Sequence, residues 1–466
     1  MNLADLLIDH PFTDEQPLLH DLHRSWTAGE ARDAVCALAA QIIELDLGGR
    51  GVAVNLDGGV DVVLAMNAIW HAGSVFIPVN PRLPSAAVDE LLDQLRPAAI
   101  ITAAGIRRLD HEPTVYEPGS AFVLWTSGTT GRPKPVLQGH VGYLEFIDRV
   151  LGPLRAKATD AAGSSTPTKP PSPNLIPVSM ALNAGIYNAL FGLRAGAPLV
   201  LMDGWSNQDF ATLVHRHQIR STILPPAAMV MLADDPDIDT LEPLRYVRSI
   251  TAPLSPFQAR RFMDRYGVTV LNGYGQAEIG EVVGWTAADA KDHPERLGAA
   301  GRPHPGVSVR IDDPDANGVG ELLIRPPAPY ADAVRATLAG RLTDDDHVRS
   351  GDLARIDEAG FVWIEGRLTD LINRGGNKIV PEEVEEVLTA VASVREAVVV
   401  AVPDDRLGQV PVAFVVEHQP VSDAELEAAC RAHLVAYKVP VRFHRVDAIP
   451  RSEVGKVLRR DLHEPS

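Results

Sequence analysis

Short apolar runs alternate along the chain with stretches whose apolar positions recur at helical spacing. Five runs have the length and the composition of buried strands, and a helical pattern such as "AVDELLDQL" falls between them. This alternation predicts an α/β fold in which helices cover the sheets. The predicted strands span 51–56, 74–79, 98–103, 121–126 and 220–226, and the quoted helix spans 87–95.

One segment breaks the alternation. Residues 156–174, "AKATDAAGSSTPTKPPSPN", are rich in Pro, Ser, Thr and Ala and show no periodicity. Such a composition is typical of an irregular surface connection. We predict a loop here, and a lid over a site is the alternative.

The hydrophobic pattern changes again near residue 366. The stretch "GFVWIEGR" resembles the end of a hairpin, and about a hundred residues with a pattern of their own follow it. That is enough chain for a small separate domain. Its predicted elements are a helix at 380–388, strands at 394–403 and 410–417, and a helix at 423–434.

Length and charge narrow the classes of function. A chain of 466 residues is too long for one ordinary core, so we expect at least two domains. The net charge of -18 disfavours nucleic acid and anionic membrane surfaces as partners. Any nucleotide site must therefore be locally basic.

The remaining composition predicts a cytoplasmic protein. Cys36 and Cys430 are the two cysteines, and their separation suits neither a disulfide framework nor a metal site. The first residues, "MNLADLLIDHPF", lack a basic segment, and no apolar run is long enough to span a bilayer.

The stretch "LWTSGTTGRPKPV", residues 124–136, has the composition of a polyphosphate-binding loop. Small hydroxyl residues and glycines leave backbone N–H groups exposed, and Arg132 and Lys134 add positive charge. Its spacing is not that of a Walker loop. A nucleotide site different from that of the P-loop enzymes is therefore expected.

Four further stretches follow in order. "NGYGQAEIG" (272–280) carries Glu278, "RSGDLARI" (349–356) carries Asp352 on a glycine turn, "GRLTDLINRGGNKIVPEEVE" (366–385) carries paired glycines, and "PRSEVGKVLRRDL" (450–462) carries Lys456. Taken singly, each is compatible with an ordinary turn, helix cap or basic tail. The ordered set of five is far more specific.

With these motifs the sequence closely resembles the adenylate-forming superfamily of acyl-CoA synthetases, peptide-synthetase adenylation domains and luciferases. The resemblance runs from "AGSVFIPVNPRLP" (72–84) to Lys456. It implies an N-terminal domain (1–366) of two α/β lobes and a small β-barrel, and a small mobile α/β C-terminal domain (367–466). It also implies two half-reactions. ATP and a carboxylate give acyl-AMP and pyrophosphate, and a thiol such as CoA then displaces AMP.

The resemblance also assigns roles to residues. Lys456 would bridge the carboxylate and the α-phosphate, and Glu278 would bind Mg²⁺. Tyr274 would stack on adenine, while Asp352 and Arg367 would hold the ribose. Thr369 matches the hinge position, where the family more often has Asp or Lys. The implied phosphate loop comprises Thr126, Ser127, Gly128, Thr129, Thr130, Gly131 and Lys134, the adenine site also has Thr251, Ala252, Pro253, Asn272, Gly273 and Gly275, and Gly375 and Gly376 border the CoA channel.

Two departures from the family pattern affect the phosphate site. Ala277 stands where a threonine hydroxyl commonly bonds the α-phosphate, and Pro135 follows Lys134 in place of glycine and removes a backbone donor. The CoA-facing glycine pair is intact. The departures are either tolerated drift in a two-step ligase or the sign of an enzyme that chiefly converts acyl-AMP made elsewhere.

We predict an acyl-CoA ligase with CoA and a carboxylic acid as partners. The segment "IPVSMALNAGIY" (176–187) matches the acyl-pocket stretch, and its small residues suggest room for a bulky or ring-containing acid. Two alternatives stay open beside the ordinary ligase. One is a thioester-forming enzyme supplied with acyl-AMP by a separate adenylating enzyme, and the other is a loader of carrier proteins. A non-catalytic ligand sensor is disfavoured by Lys456, Glu278 and Asp352. The residues assigned to the acyl pocket are Met180, Ala181, Ala184 and Gly185.

Overall fold

A computed structural model describes most of the chain. The described residues are 2–126, 134–162, 172–250, 252, 254–276, 279–327, 335, 338, 340–451 and 457–463. None of the helices within these ranges is long and apolar enough to cross a membrane.

The helices are α1 Asp5–Ile8, α2 Ala28–Glu44, α3 Gly59–His71, α4 Ser85–Leu95, α5 His140–Ala162, α6 Asn183–Ala195, α7 Asn207–Arg216, α8 Pro226–Asp234, α9 Pro256–Tyr266, α10 Ala287–Asp292, α11 Pro381–Thr389 and α12 Asp423–His433, with short 3-10 turns at Pro294–Arg296, Leu368–Asp370, Ala436–Lys438 and Arg459–Asp461.

The first α/β layer contains a six-stranded sheet in the order β6-β5-β3-β4-β7-β8. Its central strands are parallel, and the two edge strands β6 and β8 run antiparallel to their neighbours. Strands β3 and β4 are buried along their whole length, which is why they are continuous apolar runs in the sequence. The strands are β3 Gly51–Val54, β4 Val75–Pro78, β5 Ala99–Thr102, β6 Gly105–Arg108, β7 Ser120–Thr126 and β8 Lys134–Gly139.

The second α/β layer contains a seven-stranded sheet in the order β13-β12-β11-β9-β10-β1-β2. All of its pairs are parallel except β1 with β2. A single hydrophobic core joins this sheet to the first, because Leu19 and Leu199 pack in one cluster with Phe76 and Phe122. The strands are β1 Pro17–His20, β2 Ser25–Thr27, β9 Asn174–Ile176, β10 Leu199–Leu201, β11 Ser221–Leu224, β12 Tyr246–Ser249 and β13 Thr269–Leu271.

Two small antiparallel sheets follow and share a core. Val283 of the three-stranded sheet packs with Leu322 and Val348 of the four-stranded sheet, as expected for the predicted β-barrel. The first sheet has the order β14-β15-β16 and the second the order β17-β18-β19-β20. The strands are β14 Gly273–Gln276, β15 Gly280–Gly284, β16 Arg302–Pro303, β17 Ser308–Asp312, β18 Gly320–Arg325, β19 Val348–Ile356 and β20 Val362–Arg367.

The last sheet begins after Arg367 and has its own core. Its order is β22-β21-β24-β23, with β25 paired to β24, and α11 and α12 pack on it through Val384 and Leu426. The predicted elements of this region are therefore confirmed. The strands are β21 Ile372–Arg374, β22 Asn377–Ile379, β23 Val394–Asp404, β24 Gly408–Glu417 and β25 Arg442–Arg445.

Two local predictions were wrong. Residues 156–162 were expected in a loop, but α5 continues to Ala162. Four of these seven residues are alanine, the strongest helix former, which outweighs the absence of an apolar stripe. Asp352 was expected on a turn, but it lies within β19, where Gly351 has a φ of 76° and the pairing with β18 shifts.

Candidate active site

The best-defined hydrogen-bond network among the predicted site residues surrounds the carboxylate of Asp352. Its side chain is buried to 4% exposure. Tyr274 donates its hydroxyl to Oδ2 at 2.5 Å, and Arg367 Nε lies 3.0 Å from Oδ1. The structure therefore brings together the three residues expected to hold adenine and ribose.

The strand pairing explains why these residues meet. Asp352 and Arg367 are opposite each other in the antiparallel pair β19–β20, so their side chains share one face of the sheet. Tyr274 comes from β14 of the neighbouring sheet, and its ring is half-buried against the common core. Burial, followed by the negative charge of Asp352, raises the pKa of the Tyr274 phenol, so it is a hydrogen-bond donor at neutral pH.

Three further residues complete this network, and the sequence analysis had not singled them out. Gln276 Nε2 lies 3.2 Å from Asp352 Oδ2 and 2.9 Å from the carbonyl oxygen of Ser350. Arg341 donates to Gln276 Oε1 at 2.6 Å. Gln276 is part of the "NGYGQ" motif, so its spacing of two residues from Tyr274 on one strand was an available signal.

The predicted phosphate loop is described only at its two ends. Ser127, Gly128, Thr129, Thr130 and Gly131 lie outside the described residues. Thr126 ends β7 and is paired with Lys134, which begins β8. The two strands thus bring the ends of the loop together.

Pro135 lies in β8 opposite Trp125, and β8 is an edge strand of its sheet. An edge strand is where a sheet accepts proline, because one row of its N–H groups makes no ladder bond. The presence of Pro135 thus has an ordinary structural explanation, and its effect on phosphate binding stays a prediction.

Several other predicted residues lie outside the described part of the chain. They are Glu278 and Lys456, the altered position Ala277, and the turn residues Thr251 and Pro253. Ala252, between those turn residues, is half-buried.

The glycines and the asparagine of "NGYGQ" are held by the fold. Asn272 donates to the carbonyl oxygen of Ala299 at 3.0 Å and accepts the N–H of Gly273 at 3.0 Å. A Cβ atom at Gly275 would lie 2.1 Å from the carbonyl oxygen of Gly280, so the β14–β15 pair requires glycine there.

The paired glycines of the last sheet form the turn between β21 and β22. Gly375 and Gly376 have φ angles of 58° and 91°, as a two-residue turn of the primed type requires. Both are exposed, and nothing lies within 4 Å of the place of a Cβ atom at Gly376. Thr369 lies in the exposed 3-10 turn Leu368–Asp370, between the barrel and the last sheet.

The residues assigned to the acyl pocket differ in their surroundings. Met180 is 3% exposed and packs in the core shared by the two large sheets. A Cβ atom at Gly185 would lie 2.3 Å from the carbonyl oxygen of Ser179, so this glycine permits close packing and does not create open space. Ala181, just before α6, and Ala184, in its first turn, are half-buried.

Comparison with protein-family models gives two matches. The model described as "AMP-binding enzyme" matches residues 11–118 and 110–330, and the model "AMP-binding enzyme C-terminal domain" matches residues 383–456. Together they cover most of the chain.

Relatives with known names agree with these models. A CoA ligase of Mycobacterium tuberculosis, named for a methyl-dioxo-octahydroindenyl-propanoyl group, is 29% identical over 95% of this chain and 94% of its own. A 2-succinylbenzoate–CoA ligase of Bacillus pumilus is 25% identical over 97% of this chain and 95% of its own. Among solved structures, an amide bond synthetase of Marinactinospora thermotolerans superposes with a TM-score of 0.81 and 25% identity over 98% of both chains.

Proposed function

The chain belongs to the AMP-binding enzyme family, and we propose that it joins a carboxylic acid to CoA through an acyl-adenylate. The observation that supports the proposal most strongly is the network of Tyr274, Asp352 and Arg367. It combines an aromatic ring with a buried carboxylate and a cation, the groups that suit the base and ribose of a nucleotide.

In the first half-reaction a carboxylate oxygen attacks the α-phosphorus of ATP and pyrophosphate leaves. Two anions approach each other, so positive charge must be supplied where negative charge grows. We propose Lys456 for this role, with the Thr126–Lys134 loop holding the β- and γ-phosphates. Mg²⁺, bound by Glu278, would neutralise charge on the phosphates.

In the second half-reaction the thiol of CoA attacks the carbonyl carbon and AMP leaves. Because this step needs a pantetheine channel and no pyrophosphate site, we propose that the C-terminal domain (367–466) turns against the N-terminal domain (1–366). Thr369 is the proposed hinge, and its exposed turn between two separate sheets suits that role. The Gly375–Gly376 turn would then border the channel.

We further propose that the adenylation half is the slower one. Ala277 lacks a hydroxyl that commonly bonds the α-phosphate, and a hydrogen bond to a charged group contributes about 1.5–3 kcal/mol. Loss of such a bond in the transition state slows the reaction about ten- to a hundredfold. In the extreme case the protein would convert only acyl-AMP supplied by a separate adenylating enzyme.

The proposed acid is bulky. Two of the relatives are named for acids that contain rings, and the half-buried Ala181 and Ala184, just before α6 and in its first turn, suit such a group.

The test supplies a panel of free acids with ATP in one arm and their synthetic acyl-adenylates in the other, with CoA in both. We expect acyl-CoA in both arms, with faster formation from the adenylates, and Ala277→Thr should increase pyrophosphate release from the free acid. A phosphopantetheinyl carrier protein in place of CoA tests the loader alternative. No thioester in either arm would refute the proposal, and rapid pyrophosphate release by the unaltered protein would refute only the slow adenylation half.

A further inference from the structure

A cluster of three charged or ionisable side chains lies beside the "NGYGQ" strand, outside the nucleotide network. It consists of Arg248 on β12, Glu281 on β15 and His304 just after β16, and we name it the polar cluster. Arg248 Nη1 lies 2.6 Å from Glu281 Oε1, and His304 Nε2 lies 3.0 Å from the same oxygen. The three residues are 23 to 56 positions apart in the sequence, so only the fold brings them together.

The polar cluster occupies space next to two glycines. A Cβ atom at Gly284 would lie 2.7 Å from Glu281 Oε1 and 3.1 Å from Arg248 Nη1. One at Gly273 would lie 3.2 Å from the carboxyl carbon of Glu281. Since Gly273 belongs to the "NGYGQ" motif, the polar cluster borders the proposed nucleotide site without belonging to it.

Aromatic side chains of α5 and α6 lie on the neighbouring side. A Cβ atom at Gly280 would lie 2.0 Å from Phe146, so that ring contacts the same hairpin. The rings of Phe146 and Tyr187 are 5.2 Å apart, and those of Tyr187 and Phe191 are 5.9 Å apart. Tyr187 lies one helical turn after Ala184, a proposed acyl-pocket residue.

The charges of the polar cluster act on one of these aromatic side chains, Tyr187. Burial, and then the charge of Glu281, raises the pKa of the Tyr187 phenol, while Arg248 lowers it. Both charges thus act on this phenol.

The polar cluster retains unused hydrogen-bonding capacity. Arg248 Nε and His304 Nδ1 make no hydrogen bond with any described residue, and Arg248 Nη2 reaches only the carbonyl oxygen of Trp285, at 3.5 Å. The three side chains are 24–32% exposed, so they are accessible.

We propose that the polar cluster selects acids that carry a neutral oxygen, a ketone or a hydroxyl, on the ring or chain remote from the reacting carboxylate. This inference rests on the proposed function. Arg248 would donate to that oxygen, Glu281 would hold the guanidinium in position, and Phe146 and Tyr187 would pack on the ring.

The charge balance explains why the oxygen is neutral. Burial alone would raise the pKa of the Glu281 carboxyl, but Arg248 and the hydrogen bond with His304 outweigh it and lower that pKa, so Glu281 is ionised at neutral pH. Its charge offsets that of Arg248, and a second carboxylate on the substrate would meet like charge. A purely apolar group would remove the unused donors from water without replacing their hydrogen bonds.

The experiment compares three matched acids, namely cyclohexylpropanoic acid, its ring ketone and its ring carboxylic acid. Each is assayed as the free acid and as the synthetic acyl-adenylate, with CoA, in the unaltered protein, in Arg248→Met and in the surface control Arg310→Met. We expect the unaltered protein and the control to prefer the ketone by about tenfold or more in kcat/KM. Arg248→Met should lower kcat/KM for the ketone by about tenfold or more and so lose that preference.

Arg248→Met leaves Glu281 without its ion pair, so the double variant Arg248→Met/Glu281→Gln accompanies it, and thermal unfolding checks that both are folded. The same loss of preference in the double variant supports the inference. Equal rates for the three acids in the unaltered protein, a preference for the dicarboxylic acid, or a ketone preference that survives in both variants would overturn it. Absence of thioester from every acid and adenylate would instead refute the proposed function.

Discussion

At the scale of single residues, the carboxylate of Asp352 connects the two parts of the proposed nucleotide site. It accepts hydrogen bonds from Tyr274 and Gln276 on one oxygen and pairs with Arg367 through the other. Three of its roughly four acceptor positions are thus occupied, so two ribose hydroxyls could both bind only if one of these partners moved. Arg367 is the partner that moves most easily, because half of its long side chain is exposed, whereas Tyr274 and Gln276 are partly buried.

Asp352→Asn should therefore weaken nucleotide binding while the fold stays intact. The amide keeps an acceptor for Tyr274 but loses the charge that attracts Arg367 and the ribose hydroxyls. A hydrogen bond to a charged group contributes about 1.5–3 kcal/mol, so we expect the Kd for ATP to rise about ten- to a hundredfold. Isothermal titration with ATP measures this, with Asp345→Asn on the surface as the control. Equal affinity in the two variants would remove Asp352 from the nucleotide site.

At the scale of elements, Arg459 fastens the C-terminal segment to the last sheet. Arg459 Nη2 lies 2.7 Å from Glu382 of α11, Nη1 pairs with Glu385, and Nη1 also donates to the carbonyl oxygen of Val399 at 2.9 Å. Arg459 Nε lies 3.6 Å from Asp370, beside the proposed hinge. Arg459 lies three residues after Lys456. It therefore anchors the C-terminal segment to α11 and to the turn that contains the proposed hinge.

Arg459→Met should destabilise the fold in a pH-dependent way. Burial raises the pKa of the Glu382 carboxyl, and the positive charge of Arg459 partly opposes this rise. Without Arg459, the ionised Glu382 carboxylate would be poorly solvated and would lack its main cationic partner. We expect a loss of about 2–4 kcal/mol in the free energy of unfolding at neutral pH. A raised pKa in the folded state means that the cost disappears as the carboxylate is protonated, so the loss should shrink between about pH 7 and about pH 5.

Urea unfolding at both pH values measures this, and Arg431→Met, which breaks the exposed pair with Glu427, is the control. A loss that does not depend on pH would show that packing, and not the carboxylates, explains the effect.

The turn between β21 and β22 gives a second prediction at this scale. Gly376→Trp places a large side chain at an exposed position with a positive φ, so it should block the proposed CoA channel at some cost in backbone strain. Gly376→Asn is the control, because asparagine tolerates that φ. We expect thioester formation from acyl-AMP to fall at least about tenfold in the tryptophan variant only, with ATP binding unchanged. Normal thioester formation would place the channel elsewhere.

Sequence patterns predicted the elements better than the site. Buried strands such as β3 and β4 are continuous apolar runs, so their burial is visible in the sequence. The prediction that Asp352 lies on a turn was wrong, because Gly351 is accommodated in a bulge of β19. That bulge depends on the partner strand β18, which the local sequence does not show. The polar cluster was missed because Arg248 and Glu281 lie on two distant strands and His304 just after a third, and no local spacing reveals how these strands meet.

At the scale of the whole molecule, the two proposed half-reactions would require different groups at one adenylate. Lys456→Ala should depress formation of acyl-AMP from the free acid by several orders of magnitude and leave thioester formation from supplied acyl-AMP within about tenfold, because its charge acts on the first transition state. Gly376→Trp should show the opposite pattern. Pyrophosphate release and thioester formation, measured separately, test the pair, and equal losses in both halves would contradict alternation of the domains.

The most direct test of the central claim follows the oxygen atoms of the substrate. A carboxylic acid labelled with oxygen-18 in its carboxylate is converted to thioester in the presence of ATP and CoA, and the masses of the products are measured by mass spectrometry. If the carboxylate attacks the α-phosphorus and the thiol then displaces AMP, one labelled oxygen must remain on the phosphate of AMP. We predict that label in AMP and none in pyrophosphate. Thioester formed with unlabelled AMP would contradict an acyl-adenylate intermediate and with it this account of the enzyme.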